Sequence, residues 1–288
     1  MNLGGTFTFP GTGITVNRMG YGAMQLAGPH VFGPPRDRDA ALVVLREAVV
    51  SGVDHIDTSD FYGPHVTNQI IKEALHPYPA DLTIVTKVGA RRGADGSWIL
   101  DRTSASLRSQ VQDNLKNLGV DSLAVVNMRL GDVASPNDED ITEPVEALAA
   151  MQREGLIQHI GLSTVSQKQY ESVRSIAKII CVQNFYNIAH RKDDAFIDFL
   201  AAEGVAYVPY FPLGGFTPLQ SSTLDEVAKT LGETPMAVAQ AWLLHRADNI
   251  LLIPGTSSVG HLRENLAAAS VHLPQESLAQ LNSIGAPK

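Results

Sequence analysis

The sequence predicts an α/β fold, a single (β/α)8 TIM barrel over residues 1–288 with an N-terminal β-hairpin. Short apolar segments rich in β-branched residues alternate with segments of helical periodicity. From the second segment on, their terminal polar residues recur roughly every 33 residues between Asp57 and Gly255, close to the length of one βα unit. The eight apolar segments are 19–24, 53–60, 82–89, 122–130, 157–164, 179–184, 205–215 and 250–258.

The first element is the hairpin. Residues 6–16 (TFTFPGTGITV) alternate polar and apolar side chains and turn at a Pro-Gly-Thr-Gly segment. Alternation of this kind is typical of a strand with one buried face, whereas the later segments are continuously apolar. We therefore expect the hairpin to close the bottom of a barrel whose own strands are buried on both faces.

Helical segments separate the strands. Glycine, a frequent C-terminal stop, ends four of them, namely 41–52, 104–119, 143–155 and 194–204. The segment 235–247 opens with Pro235 directly after Thr234, which predicts an N-cap followed by the first helical position.

The glycine pattern favours a barrel over a doubly wound sheet. A doubly wound sheet that binds a dinucleotide normally carries G-x-G-x-x-G after its first strand. Neither GTGITV (11–16) nor GYGAMQ (20–25) completes that pattern. A closed barrel needs no such turn and accommodates this length in one domain.

Composition excludes several classes of protein. Lysine and arginine total 22 against 30 acidic residues, and this net charge of -8 argues against a nucleic-acid partner. The single cysteine, Cys181, lies in an apolar segment, which argues against a disulfide framework. The nine histidines include no HxH or HExxH spacing, so no metal site is expected. Residues 1–13 carry no positive charge, and no apolar run is long enough to span a membrane, so we expect a cytoplasmic protein without a membrane partner.

Three residues near predicted strand ends could perform chemistry together. Active sites of such barrels lie at the C-terminal ends of the strands, where Asp57, Tyr62 and Lys87 are placed. A lysine there is costly to bury unless it is paired, and Asp57 is the natural partner. A Lys–Asp pair alone would indicate a structural ion pair. With Tyr62 beside it, the ammonium would lower the pKa of the phenol, which could then protonate a carbonyl oxygen as hydride reaches its carbon.

Across nearly its whole length the sequence resembles the aldo-keto reductase family. The resemblance rests on GVDHIDTSDFYG (52–63), IVTKVG (84–89), GLSTVS (161–166), VQNFYN (182–187), YFPLGG (210–215) and IPGTSSVGHLREN (253–265). It implies a (β/α)8 barrel that binds NADPH in extended form, and it places the family's catalytic Asp, Tyr and Lys on Asp57, Tyr62 and Lys87.

The fourth catalytic position of the family, usually a histidine, falls on Arg129 here. Arginine is always charged and cannot shuttle a proton, but the N–H groups of its planar guanidinium can donate hydrogen bonds to an oxygen or anion of the substrate. The alternative is a salt bridge to Asp132. Strand alternation turns Asn127 the same way as Arg129. Phe32 and Trp98 are further candidates for the walls of the substrate site, although either could pack within its own loop.

The same resemblance implies a set of cofactor contacts. Ser163, Thr164 and Gln183 would bind the nicotinamide carboxamide, Tyr210 would stack on the ring, and the segment after the last strand would hold the 2′-phosphate. The implied cofactor residues are Gly22, Ala23, Met24, Asp57, Ser163, Thr164, Gln183, Tyr210, Phe211, Leu213, Gly214, Gly215, Gly255, Thr256, Ser257, Arg263 and Asn265.

Within the family, the chain is similar to a bacterial subgroup that includes NADPH-dependent pyridoxal reductases. The segments concerned are MGYGAMQ (19–25), FGPPRDR (32–38), SDFYGPHVTNQIIKEAL (59–75), VGARRG (88–93), CVQNFYNIAHR (181–191) and YFPLGGFTPLQSSTL (210–224). This similarity implies reduction of a small-molecule aldehyde, pyridoxal, to pyridoxine. Two alternatives stay open, a broad aldehyde or ketone reductase and a non-enzymatic NADPH-binding regulatory subunit. The sequence leaves the oligomeric state open, as a monomer or a weak dimer.

Overall fold

The fold is built on parallel strands that the chain visits in order. The computed structural model describes residues 3–132, 135–137, 139–214 and 220–285. Its β-strands are β1 (Thr6–Thr8), β2 (Thr15–Asn17), β3 (Tyr21–Gly22), β4 (His55–Asp57), β5 (Thr83–Val88), β6 (Ala90–Arg92), β7 (Trp98–Leu100), β8 (Leu123–Arg129), β9 (Ile157–Ser163), β10 (Ile179–Gln183) and β11 (Ala206–Tyr207).

Seven of these strands form one parallel sheet in the order β11-β10-β9-β8-β5-β4-β3. The segment 250–255 lies between its two edges. Ile250 pairs in parallel with Tyr207 on one side, and Leu252 pairs with Met19 on the other. The segment therefore acts as the eighth strand and closes the sheet into a barrel, which confirms the predicted fold.

Helices connect the strands. They are α1 (Arg38–Val50), α2 (Val66–Leu75), α3 (Ser104–Leu118), α4 (Thr142–Arg153), α5 (Gln167–Val173), α6 (Asp194–Ala202), α7 (Ser222–Leu231), α8 (Pro235–Arg246), α9 (Val259–Ala267) and α10 (Gln275–Asn282), with 3-10 turns at Ala23–Leu26, Pro29–Val31 and Ala268–Ser270. The Thr234 side chain accepts a hydrogen bond from the Ala237 amide, and Pro235 takes the first helical position, so the predicted start of α8 is confirmed.

Two layers of apolar side chains make the core. The larger layer lies between the barrel wall and the helices. The smaller layer fills the barrel, where Val85, Val125 and Leu251 cluster with Phe9 and Val16 of the β1–β2 hairpin. The antiparallel hairpin thus seals the barrel at the end where the strands begin, as predicted.

Some features differ from the expectations or stay untested. A second hairpin, β6 paired with β7, follows directly after β5 and was not predicted.

No helix among the described residues is long and apolar enough to cross a membrane. The assignment of the whole chain to one domain stays a prediction, as does a cytoplasmic location. Gly215, a predicted cofactor residue, lies outside the described residues.

Candidate active site

A cavity of about 360 Å³ opens at the C-terminal ends of the barrel strands. Its floor is polar, and its outer wall is largely apolar. The cavity is lined by Gly22, Met24, Gln25, Asp57, Phe61, Tyr62, Lys87, Ala90, Trp98, Ile99, Leu100, Arg129, Gly131, Asp132, Gln183, Tyr210, Phe211, Pro212, Leu213, Ile253, Pro254 and Gly255. The strand-end position of the cavity is the one expected for the active site of a barrel of this type.

At the floor, the Lys87 ammonium is surrounded by oxygen acceptors. Lys87 is only 4% exposed, and it donates to the Asp57 carboxylate and, over 3.0 Å, to the Thr58 carbonyl. The same nitrogen lies 5.3 Å from the ring centroid of Tyr62 and hydrogen-bonds its phenol. The other Asp57 oxygen accepts from Nε2 of Gln183 at 2.9 Å. A buried charge is tolerated in this place because each of its donors has a partner.

The pKa values of this cluster differ in part from the expectation. Burial of Tyr62 raises the pKa of its phenol, and this effect outweighs the lowering by Lys87, so the net shift is upward. The predicted net lowering was therefore wrong, although the contribution of Lys87 has the predicted sign. For Lys87, burial lowers the pKa, but Asp57 and Tyr62 together outweigh burial and raise it. Both groups are held in their protonated forms.

Arg129 lies in the cavity wall at the end of β8, but its hydrogen bonds go to backbone. Its Nη2 donates to the Asp132 carbonyl at 2.9 Å, and its Nε donates to the Gly131 carbonyl at 3.3 Å. The guanidinium lies 5.8 Å from the ring centroid of Tyr210 and lowers the pKa of Tyr62. Asn127 points into the barrel below the cavity, where its Oδ1 accepts from the thiol of Cys181.

Two buried polar atoms beside the cluster have no hydrogen-bond partner among the described residues. They are Oγ of Ser163 and Oε1 of Gln183, at the ends of β9 and β10. Buried polar atoms are nearly always paired, so these two indicate a ligand or ordered water. Thr164, by contrast, places its hydroxyl 3.1 Å from the hydroxyl of Tyr210.

A close approach of backbones forms the opposite edge of the cavity. Gly22 and Gly255 pair there, and a side chain on Gly22 would place its Cβ 2.4 Å from the Ile253 carbonyl oxygen. A side chain here would collide with the neighbouring strand, so the close approach requires glycine at this position. Ala23 is buried behind this edge, while Met24 lines the cavity.

Of the residues predicted to hold the 2′-phosphate, Gly255 lines the main cavity, and Thr256, Ser257 and Arg263 do not. Arg263 forms a 2.8 Å ion pair with Glu47, although its side chain is 65% exposed. Asn265 accepts a 2.9 Å hydrogen bond from Gln240. Among the described residues, the predicted cofactor residues that do not line the cavity are Ala23, Ser163, Thr164, Gly214, Thr256, Ser257, Arg263 and Asn265.

Comparison with known proteins places this arrangement in a family. The sequence profile of the Aldo/keto reductase family matches residues 18–286. The chain belongs to the aldo/keto reductase family. It is 65% identical to the pyridoxine 4-dehydrogenase of Escherichia coli (strain K12), over 94% of this chain and 95% of that protein. It is 34% identical to an uncharacterized oxidoreductase of Schizosaccharomyces pombe (strain 972), over 94% and 88% of the two chains.

A solved member of the family has the same architecture. The crystal structure of a thermostable aldo-keto reductase in complex with the inhibitor epalrestat superposes with a TM-score of 0.81 at 30% identity. The match covers 97% of this chain and 99% of the solved one.

Sequence reasoning named Trp98 in the cavity wall of this aldo/keto reductase but did not name its apolar neighbours individually. Phe61, Ile99 and Leu100 line the cavity together with the predicted Trp98, whereas the predicted Phe32 does not. Ile99 and Leu100 belong to the unpredicted hairpin. The available signal was the apolar triplet in an otherwise polar loop, since exposed apolar clusters commonly mark binding surfaces.

Proposed function

We propose that this chain reduces the aromatic aldehyde pyridoxal to the alcohol pyridoxine, with NADPH as the hydride donor. The observation that carries the proposal is the 65% identity to a pyridoxine 4-dehydrogenase across almost the full length of both chains. That relative is named for the oxidising direction, and an enzyme that lowers the barrier for one direction lowers it equally for the other. The Asp57–Tyr62–Lys87 cluster at the cavity floor supports the same chemistry.

The residues around the cavity fit the cofactor. The unpaired Ser163 and Gln183 oxygens match the amide protons of a carboxamide, and Tyr210 brings an aromatic ring to the cavity wall, where it suits stacking on another ring. Gly22 and Gly255 both line the cavity and present only backbone to it. When bound, NADPH would supply a hydride to the aldehyde carbon. For Arg263 to bind a phosphate, its exposed ion pair with Glu47 must open, at a small cost.

In the proposed mechanism, Tyr62 is the proton donor. As the carbonyl carbon accepts hydride, negative charge develops on the carbonyl oxygen, and the phenol transfers its proton there. Lys87 then stabilises the resulting phenolate through its charge and hydrogen bond, and Asp57 keeps Lys87 charged and oriented. Arg129 would face the ionised 3-oxygen of pyridoxal, a role that suits a fixed cation better than a proton carrier.

The experiment that tests this function measures NADPH oxidation and compares kcat/KM for pyridoxal with kcat/KM for a panel of simple aromatic aldehydes. We expect pyridoxal to be preferred by about tenfold or more, because each additional complementary contact contributes on the order of 1 kcal/mol. Equal values across the panel would indicate a broad aldehyde reductase. Tight NADPH binding without any turnover would indicate a regulatory protein instead.

A further inference from the structure

The guanidinium of Arg92, the last residue of β6, binds two loops beside the cavity at once. Its Nη1 donates to the Val31 carbonyl at 2.6 Å, and its Nη2 donates to the His30 carbonyl at 3.1 Å. Nη2 also donates to the carbonyl of Gly96 at 2.7 Å. The planar fork of arginine allows several such bonds in one geometry, which a lysine cannot reproduce.

The same guanidinium contacts two aromatic rings. Its central carbon lies 4.0 Å from the ring centroid of Trp98 and 5.3 Å from that of Phe32. At these distances a cation is attracted by the face of an aromatic ring, most strongly by tryptophan. Trp98 remains 44% exposed, and it forms part of the cavity wall. Arg92 therefore helps to fix the orientation of Trp98 in the cavity wall.

Two of the carbonyls that accept from Arg92, those of His30 and Val31, belong to a strained turn. His30 and Val31 both have φ of 58°, in the left-handed region that β-branched residues rarely adopt. The Val31 carbonyl also accepts from the amide of Gly63, next to the proposed proton donor. Such strain costs of order 1–3 kcal/mol per residue and persists only where surrounding contacts hold it. Arg92 supplies two of those contacts.

Two chains of contacts lead from Arg92 to Tyr62, one through Val31 and the other through Trp98 and Phe61. The Val31 side chain is buried in one apolar cluster with Phe61 and Tyr62. Trp98 packs edge-to-face on Phe61 with ring centroids 5.6 Å apart, and Phe61 packs in the same way on Tyr62 at 5.4 Å. A displacement of Trp98 or of the turn would therefore reach the ring that bears the phenol.

We infer that Arg92 is a positioning residue of the aldehyde pocket, holding the Trp98 wall and the His30–Val31 turn against the loop that carries Tyr62. The inference rests on the proposed aldehyde reduction. The predicted nicotinamide contacts, Ser163 and Gln183, lie on other strands and touch none of these groups. Loss of Arg92 is therefore expected to affect aldehyde binding more than cofactor binding.

The test compares Arg92→Met and Arg92→Lys with Arg91→Met. Arg91 is the matched control, since it occupies the neighbouring position of β6 and pairs with Asp101 instead. In both Arg92 variants we expect KM for pyridoxal to rise about tenfold, kcat to fall by a smaller factor of about threefold because the Tyr62 ring also shifts, and NADPH affinity to stay unchanged. Arg92→Lys is expected to fail to rescue KM, because it keeps the charge but loses the fork. Arg91→Met is expected to keep wild-type kinetics.

Tryptophan fluorescence gives a readout that does not depend on activity. The only other tryptophan, Trp242, is 1% exposed, so added acrylamide reports mainly on Trp98. We expect quenching to increase in both Arg92 variants and to stay unchanged in Arg91→Met.

Unchanged KM and quenching in the Arg92 variants, or equal effects in the Arg91→Met control, would overturn the inference. A parallel fall of kcat and of thermal stability without a change in KM would also overturn it. An inactive wild type would refute the proposed function, while the quenching series would still decide the role of Arg92.

Discussion

At the scale of single residues, the Tyr62 phenol is governed by the competition between burial and charge. The sequence placed a lysine beside the phenol, and that proximity lowers the pKa of Tyr62 as predicted. Sequence alone could not give the degree of burial, which depends on how Phe61 and Val31 cover the ring. Burial is the larger effect, so the net shift is upward.

This direction predicts the pH dependence of the reaction. Because the pKa of Tyr62 lies above its ordinary value of 10.0, the phenol stays protonated throughout the neutral range. We expect kcat/KM for pyridoxal reduction to be flat between about pH 6 and about pH 9 and to fall only at higher pH. Oxidation of pyridoxine needs the deprotonated phenol of Tyr62, so the oxidation rate is expected to rise with pH between about pH 6 and about pH 9.

Steady-state profiles in both directions check this expectation. A fall in the reduction rate with an apparent pKa near 8 would contradict it, since that result would mean that the charge of Lys87 outweighs burial.

At the scale of elements, the eight strands and their closure into a barrel were predictable, and the way the last segment pairs was not. Most of the apolar segments end within about three residues of a strand end, because a strand buried on both faces must be continuously apolar. The segment 205–215 is the exception, since β11 ends at Tyr207. The last segment forms no regular strand, and Ile250 and Leu252 close the barrel through isolated pairings instead. The β6–β7 hairpin escaped prediction because its strands are only three residues long and exposed in part.

Closure at the Gly22–Gly255 pair leads to a prediction about stability. In Gly22→Ala, the new methyl would lie 2.4 Å from the Ile253 carbonyl oxygen, so one of the strands must shift. We expect the free energy of unfolding in urea to fall by about 1–3 kcal/mol, the usual cost of overpacking.

Gly260→Ala is the matched control for this substitution. Gly260 lies in α9, where an added Cβ would lie at ordinary van der Waals distance, 3.6 Å, from the Ser258 hydroxyl. Replacement of a helical glycine by alanine is expected to be neutral or to stabilise by up to about 1 kcal/mol. Equal losses in the two variants would mean that the strand contact is not the cause.

At the scale of the whole molecule, the two ends of the barrel have separate tasks. The hairpin end is filled by apolar side chains, whereas the opposite end carries the charged cluster and the cavity. The sequence predicted this division from the order of its motifs. It could not predict that Arg263 pairs with Glu47 or that Asn265 pairs with Gln240, since both contacts join elements far apart in the chain.

Because the two ends have separate tasks, we expect a substitution at the hairpin end to lower stability without lowering activity. Phe9→Ala would leave a cavity among buried side chains at the hairpin end, at an expected cost of about 3–5 kcal/mol in the free energy of unfolding. Because the reacting groups lie at the other end, kcat/KM is expected to stay within about twofold of wild type. Phe7→Ala, which removes a partly exposed ring packed on Phe9, is the control with a smaller expected loss. A large fall in kcat/KM for folded Phe9→Ala would contradict the separation.

The most direct measurement is NADPH oxidation with pyridoxal by wild type and by Tyr62→Phe, alongside the affinity of each protein for NADPH. Removal of the phenol oxygen deletes the proton donor and leaves the ring packing on Phe61 in place. We expect kcat/KM to fall about 10²–10⁴-fold, the usual contribution of a general acid, with NADPH affinity unchanged. Wild-type turnover in Tyr62→Phe would contradict the assignment of Tyr62 as the proton donor.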